Sequence, residues 1–331
     1  MAKGLSVVVR GDPNIQLRGT AATLRSVVER VQPRIMPLIC AQIPSTRAFE
    51  QIVFVSAVPK IRKWVTERAG GVVATLTEQI NNDTYEISMA ISGDDYDDDQ
   101  VGAYAPIMQE MMVSLLLAPD ELVVSNLMAN ATTTLGYDGV PFYGATHKWP
   151  NGNFQTAQVN KQTQSGTDPA SIENDYFTAR NAIATWKDDQ GRLRIPPGDL
   201  IGNEALVVHH PQALEQAMER VFDKSAGGEA QQLQPISDQT KFPRLSQVAG
   251  KVIRIADPYL DTNIGATQWF IHSIRGVGYN KPFAFLDREG PSVQIFARGS
   301  EHYAKYNEVL ILGRRRFGLG VLKPERSQRI G

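Results

Sequence analysis

Apolar and polar residues alternate through residues 84–91, which puts Tyr85, Ile87, Met89 and Ile91 on one face of a predicted strand. β-rich runs at 49–58 and 72–80 precede it, with the Gly70-Gly71 breaker between them, so residues 47–93 read as a long antiparallel excursion. The period then changes. Pro106 opens a helical pattern in which Met108, Met112 and Leu115 recur at spacings of four and three, with Ile107, Met111 and Leu116 alongside. Pro119-Asp120-Glu121 reads as a restart, with proline at a first helical position and two acids at the positive end of a helix dipole, and the helix continues to about residue 130. Before the excursion, residues 14–39 mix helical spacing (Leu24, Val27, Val28, Val31) with Pro33 and Pro37, which end a helix, and read as an arm. After the long helix, 151–170 is polar loop, and Asn174 or Asp175 is the expected cap of a helix carrying Phe177, Ala179, Ile183 and Trp186. A buried strand at 205–208, a helix from Pro211 through Phe222 and a glutamine-rich loop at 223–250 follow. Short β runs at 252–255, 268–274, 293–297, 309–312 and 317–322 make the C-terminal third mostly β.

Composition narrows the class. With 331 residues, 42% hydrophobic and 21% charged, the chain has enough apolar material for two or three packed units and is not a disordered one. No run approaches the roughly 18 apolar residues of a membrane span, the richest being 113–118, so no membrane role is expected. The first ten residues lack the apolar length of a secretory signal, which points to an intracellular product. The single cysteine, Cys40, excludes an intrachain disulfide and reads as a small buried hydrophobe.

The net charge of −1 conceals blocks of opposite sign. Residues 1–34 carry six basic side chains against two acidic ones, and 83–99 carry seven acids with no lysine or arginine. The last nineteen residues carry six basic side chains, including Arg314-Arg315-Arg316, against one acid. Opposed blocks of this kind suit a chain whose parts meet complementary parts of neighbouring copies, but composition alone favours ordinary solvated faces.

Candidate chemistry is sparse. His209 and His210 are adjacent on a predicted strand and point to opposite faces, so they cannot share a metal. There is no phosphate-binding glycine loop, no nucleophile elbow and no motif joining Cys40 to a histidine. The run Asp94-Asp95-Tyr96-Asp97-Asp98-Asp99 lacks the spacing of a calcium loop and reads as the acidic start of a helix. No catalytic, cofactor-binding or metal residue is therefore expected. Trp64, flanked by Arg62, Lys63, Glu67 and Arg68, is the kind of aromatic and basic cluster that meets a neighbour at an interface centre, and packing on its own subunit is the equal alternative from sequence.

Several of these stretches together resemble the major head subunit family of Mu-like phages and prophages. They are Val58-Pro59-Lys60-Ile61-Arg62-Lys63-Trp64 with Arg68, Asn82-Asp83-Thr84-Tyr85-Glu86, the aspartate run 94–99, Tyr104-Ala105-Pro106-Ile107-Met108-Gln109-Glu110-Met111, and Pro119-Asp120-Glu121-Leu122. Tyr137-Asp138-Gly139-Val140-Pro141-Phe142 and residues 203–221 also look like that family, whereas Thr146-His147-Lys148-Trp149-Pro150 spaces its histidine and proline differently, and nothing before residue 45 matches. The resemblance implies an α+β chain of the Hong Kong 97-type capsid fold. Its expected parts are an N-terminal arm (1–46), an extended hairpin loop (47–93), a peripheral domain with a long spine helix (94–180), an axial domain (181–290) and a C-terminal return to the peripheral domain (291–331).

The function so implied is that of a major capsid protein without catalytic residues, forming hexamers and pentamers of an icosahedral phage head around double-stranded DNA. Implied partners are further copies of the chain, a separate scaffolding protein, a portal, decoration proteins, and packaged DNA held by non-specific contact. Assembly is expected in the host bacterial cytoplasm, and the product in the virion. The candidate inter-subunit residues are Arg62, Lys63, Trp64, Arg68, Glu86, Asp94, Asp95, Asp97, Asp98, Arg314, Arg315 and Arg316. The rival readings are an encapsulin-like compartment shell of the same fold and a soluble α+β enzyme using Asp257, Asp261 or His209 as acid or base.

Overall fold

A computed structural model describes residues 6–10, 27, 30–55, 75–98, 104–148, 156–188, 190–200, 205–222, 252–275 and 279–331. Two five-stranded sheets and one two-stranded ribbon organise them. The first sheet gathers β1 (Ser6–Arg10), β2 (Cys40–Pro44), β5 (Asp83–Ser92), β10 (Phe283–Phe296) and β11 (Glu308–Val321). Its order is β1-β10-β11-β5, and β2 lies on β10 at residues 283–287, parallel to it as β1 is at 292–296. The ribbon is β3 (Phe49–Val55) paired with β4 (Thr75–Asn81), and it runs straight into β5. The second sheet has the order β6-β12-β9-β7-β8, from β6 (Lys161–Gln162), β12 (Ser327–Ile330), β9 (Trp269–Ser273), β7 (Leu206–His210) and β8 (Val252–Ala256).

Helices cover these sheets. A short α1 (Ile35–Ile39) precedes β2, and α2 (Gly93–Asp97) follows β5. The long α3 (Tyr104–Leu122) lays Met108, Met111, Met112, Leu115 and Leu116 on Ile91, Val293, Ile295, Val309 and Ile311 of the first sheet. The face chosen is the one its spacing marks, since residues three and four apart share a stripe. α3 passes without a break into a π-helical segment, Val123–Met128, so Pro119 lies inside the helix and does not restart it. Because Pro119 lacks an N–H, the Leu115 carbonyl has no ordinary partner four residues on. Arg315 reaches across from β11 to supply one, donating to the carbonyls of Leu116 at 3.0 Å and Leu115 at 3.5 Å. The run Pro106–Met128 is 23 residues long with mean hydropathy 1.4, apolar and long enough by composition to cross a membrane. The 18-residue estimate from sequence missed it because scattered polar residues interrupt the run; inside the protein 56% of its most apolar window is buried.

On the second sheet, α4 (Pro169–Thr185) and α5 (Glu215–Phe222) pack Ile172, Tyr176, Ile183, Met218 and Phe222 against Leu206, Val208, Trp269 and Ile271. The cap of α4 is Asp168, which accepts from the amides of Ala170 and Ser171 ahead of Pro169; helix begins five residues before the expected cap. The opposite face of the second sheet meets the first sheet in a shared apolar cluster of Val207, Phe270, Phe283, Phe285 and Phe317 with Val123, Val124 and Leu127 of the π segment. α6 (Pro258–Asn263), capped by Asp257, adds Leu260 to that cluster, and α7 (Glu301–Tyr306) joins β10 to β11.

Three strand predictions lengthen. β10 and β11 are each 14 residues, where the sequence suggested short pieces. β10 absorbs Gly290-Pro291 through register shifts between Asp287 and Ser292, the place where a strand tolerates proline. β11 runs through the three arginines because Arg315 points inward with its guanidinium occupied, so the burial alternation continues beneath the charge. The ribbon crosses β11 at a glycine seam: a Cβ at Gly318 would stand 2.3 Å from the Asn81 carbonyl oxygen, and one at Gly320 would stand 2.4 Å from Ile80 Cδ1. That close approach lets Ile80 and Phe54 of the ribbon pack with Ala284, Leu286 and Leu322.

Candidate subunit interface

The acidic block is presented on the surface. Glu86 is exposed on β5 opposite Arg314 of β11, and Asp94, Asp95 and Asp97 lie on α2 with Asp98 just after it, all exposed. Asp94 and Asp95 occupy the first turn of α2, as the helix-start reading expected. Asp97 lies 3.4 Å from Arg298, and Asp94 accepts from Asn307 Nδ2 at 3.3 Å, contacts too exposed to hold these carboxylates away from other partners. Among the described residues no group of three or more His, Cys, Asp or Glu could hold a metal ion.

The arginine triplet divides. Arg314 and Arg316 share one face of β11 and straddle Glu289 of β10, at 3.8 and 3.9 Å. Arg315 faces the other way, 8% exposed, over the rings of Phe285 and Phe317 at 5.8 and 5.5 Å. Burial pushes its pKa down, while Asp287 and Asp120 act in the opposite sense. Arg315 is thus removed from the candidate inter-subunit residues: it holds α3 to the first sheet of its own chain. Arg62, Lys63, Trp64 and Arg68 lie outside the described residues, as does Asp99.

Two elements that sequence reasoning missed position this surface. Asp120, expected to serve the start of its own helix, is 7% exposed and turns outward from α3 to cap α1. Its carboxylate accepts from the amides of Arg34 at 2.7 Å, Ile35 at 3.2 Å and Met36 at 2.7 Å. Pro37, expected to end any helix, sits in the first turn of α1, where its missing N–H costs nothing. The Asp120 carboxylate and the Pro37 ring together fix where the arm joins the body; the signal available in sequence was an acid after a proline in mid-helix. The second element is a groove of about 450 Å³ between ribbon and π segment, lined by Glu78, Asp83, Asn126, Asn130, Leu319 and Val321. Burial, and then the charge of Asp138, push the Glu78 carboxyl up to about 7.

The enzyme candidates are brought together only in part. His209 and Asp257 form a 2.8 Å contact, but they are 0% and 1% exposed and sealed between the sheets, with Asp257 also capping α6. Asp261 is spent on the amides of Gln212 and Ala213 at 2.7 and 3.2 Å.

Residues 19–177 match the family described as Mu-like prophage major head subunit gpT, so the match begins within the arm, where no motif was recognised, and stops short of residues 203–221. The chain is 37% identical over 103 residues to the major capsid protein of Escherichia phage Mu, covering 31% of this chain and 33% of that one. It spans about a third of the length of the curated relatives it matches. Among solved structures it resembles the capsid of the cyanophage P-SCSP1u, with TM-score 0.57 and 12% identity over 91% of this chain and 88% of that one. It also resembles a virus-like particle from Pyrococcus furiosus, with TM-score 0.53 and 11% identity over 96% and 100%. These two likenesses establish the fold, which is α+β and of the Hong Kong 97 capsid type. Over residues 19–177, a little under half of its length, the chain is similar to the Mu-like prophage major head subunit family, and it carries that stretch on a capsid fold.

Proposed function

We propose that the chain is the major capsid protein of a tailed bacteriophage, assembling with copies of itself into hexamers and pentamers of an icosahedral head around double-stranded DNA. The observation that carries this reading is the coincidence, on one chain, of the family match over 19–177 with a capsid fold extending over 91% of its length. In this reading residues 1–46 are the arm, 47–93 the extended hairpin, 94–180 the peripheral domain with α3 as its spine, 181–290 the axial domain and 291–331 the return. The chain's place is the virion, reached by assembly in the host cytoplasm with a separate scaffolding protein, a portal and decoration proteins.

The arm and hairpin bury area against adjacent copies, and many modest contacts add through multivalency. Exposed Glu86, Asp94, Asp95, Asp97 and Asp98 offer the negative side of these contacts; Arg62, Lys63, Arg68, Arg314 and Arg316 offer the positive side, with Trp64 as the aromatic anchor. A net charge of −1 suits a shell filled with DNA rather than one that condenses it, so contact with DNA is non-specific and weak.

Negative-stain electron microscopy and light scattering of the purified chain, over a range of salt and with co-expressed head genes, test this. Closed shells, capsomers, tubes or sheets are the expected result, and a monodisperse monomer under every condition overturns it. Reversing Arg62 and Arg68 to Glu should leave a folded subunit that does not assemble; normal shells from that variant refute the roles given to those two residues. Nuclease-protected DNA inside the particles supports the phage head, whereas a defined host enzyme inside them points to the compartment shell.

A further inference from the structure

His209 and His272 project from the same face of the second sheet, because residue 272 lies opposite Val207 and His209 is two positions along β7. That face meets the first sheet: the His272 ring is edge-on to Phe283 of β10 at 5.8 Å and parallel to Phe270 at 6.1 Å. The two histidine rings are 6.0 Å apart. Each is tied to a different element. His209 Nε2 lies 2.8 Å from Asp257 Oδ2 at the cap of α6. His272 Nδ1 lies 2.9 Å from Ser327 Oγ of β12, which in turn lies 2.8 Å from Tyr143 Oη. Both rings are 0% exposed, and their second nitrogens, His209 Nδ1 and His272 Nε2, are buried without a hydrogen-bond partner.

From these contacts we propose that the His209–His272 pair is an acid-sensitive latch: it closes the joint between the two sheets while the His272 ring is uncharged, and protonation of His272 releases it. The surroundings of His272 hold no charge to receive a proton's. Phe283 from β10 and Phe270 from its own strand are apolar, and Ser327 and Tyr143 are neutral hydroxyls. His209 from β7 acts against a charge on His272, second to burial, and together they hold the ring well below its ordinary pKa. Cations stand nearby on β12 and the turn before it: Arg329 acts on Tyr143, and Arg326 donates to Ser273 Oγ at 3.2 Å. The carboxylate of the cluster, Asp257, is engaged by His209 and by the Tyr259 amide at 2.9 Å.

The sign follows from linkage. The closed joint binds the neutral ring, while the opened joint returns His272 to an ordinary histidine near pH 6.5. Below that pH the opened state binds one more proton, so the ratio of open to closed rises about tenfold per pH unit. The joint is a property of the single chain; in the shell proposed above it would let acid relax each subunit from within, and that use alone rests on the capsid reading.

Hydrogen exchange on the full chain between pH 7.5 and 5, corrected for the intrinsic pH dependence of exchange, reads the opening at the amides of β9 and β12. The expected result is a rise of about fivefold in opening from pH 6.5 to 5.5, steepening toward tenfold per unit at lower pH. His272→Asn, which keeps a polar partner for Ser327 and cannot titrate, should flatten this rise, and His302→Gln, at the half-exposed His302 near Glu308, should not. An equal rise in His272→Asn, or none in the unaltered chain, overturns the latch. Should His272→Asn fail to fold, a histidine-resolved NMR titration of the unaltered chain decides. Protonation of His272 together with opening supports the latch, and protonation at its ordinary pH without opening refutes it.

Discussion

Replacing Asp120 with Ala should cost the subunit about 2–4 kcal/mol of stability. The carboxylate receives three backbone amides, those of Arg34, Ile35 and Met36. Loss of a capping side chain typically costs about 0.5–2 kcal/mol, and a buried donor left without a partner about 1–3 kcal/mol. The three losses are unequal. Arg34 is exposed and its amide can turn to water, whereas Met36 is buried and its amide cannot. The substitution also takes a compensating negative charge from the neighbourhood of the buried Arg315. Asp120→Asn keeps one carbonyl acceptor and should fall between the two. Urea unfolding of the unassembled subunit, followed by circular dichroism, gives the difference from the transition midpoint at constant slope. A change below about 0.5 kcal/mol in Asp120→Ala would mean that α1 is held by its apolar contacts and that the cap is incidental.

Arg315→Met should retain the apolar stem over Phe285 and Phe317 but strand the Leu115 carbonyl, lowering stability by about 1–3 kcal/mol in the same assay. Gly318→Ala places a Cβ against the backbone oxygen of Asn81, which cannot rotate away, and should destabilise the seam by about 1–3 kcal/mol. Gly320→Ala meets the flexible end of Ile80 and should cost less; equal losses at the two positions argue against the seam as described. Glu78 has its carboxyl raised from 4.5 to about 7 in the fold, so its contribution is complete below about pH 4.5 and is lost as pH rises through 7. Glu78→Gln should therefore remove that decline, visible as a flatter dependence of the thermal midpoint on pH between 5 and 8.

Much of the body was legible before any coordinates, because burial on one face leaves a period that reads directly. The alternation at 84–91 became β5 with Tyr85, Ile87, Met89 and Ile91 turned inward, and the spacing of Met108, Met112 and Leu115 became the buried stripe of α3. The failures share a cause. Pro37, Pro119 and the three arginines of β11 each break a local rule, and each is rescued by a partner distant in sequence: Asp120 for the start of α1, Arg315 for the helix carbonyls, and those same carbonyls for Arg315. Local pattern does not encode such pairs. The basic and aromatic cluster at 62–68 is legible only as chemistry, because its partners belong to other copies in the function proposed above.

The layout of the first sheet sets a timing on the birth of the subunit. β1 and β2 both lie along β10, and β5 pairs with β11, so nearly all of its pairings join residues more than two hundred positions apart, apart from β10 with β11. Closing loops of that length is entropically costly and slow, and none of it can begin on the ribosome until β10 and β11 have emerged. During synthesis α3 therefore waits with its apolar stripe uncovered, since Val293, Ile295, Val309 and Ile311 are still to come. A nascent chain must therefore carry both β10 and β11 before its first sheet can close. A chain cut short before β10 leaves β1, β2 and β5 without the strands they pair with, so topology alone keeps the first sheet from forming on a fragment.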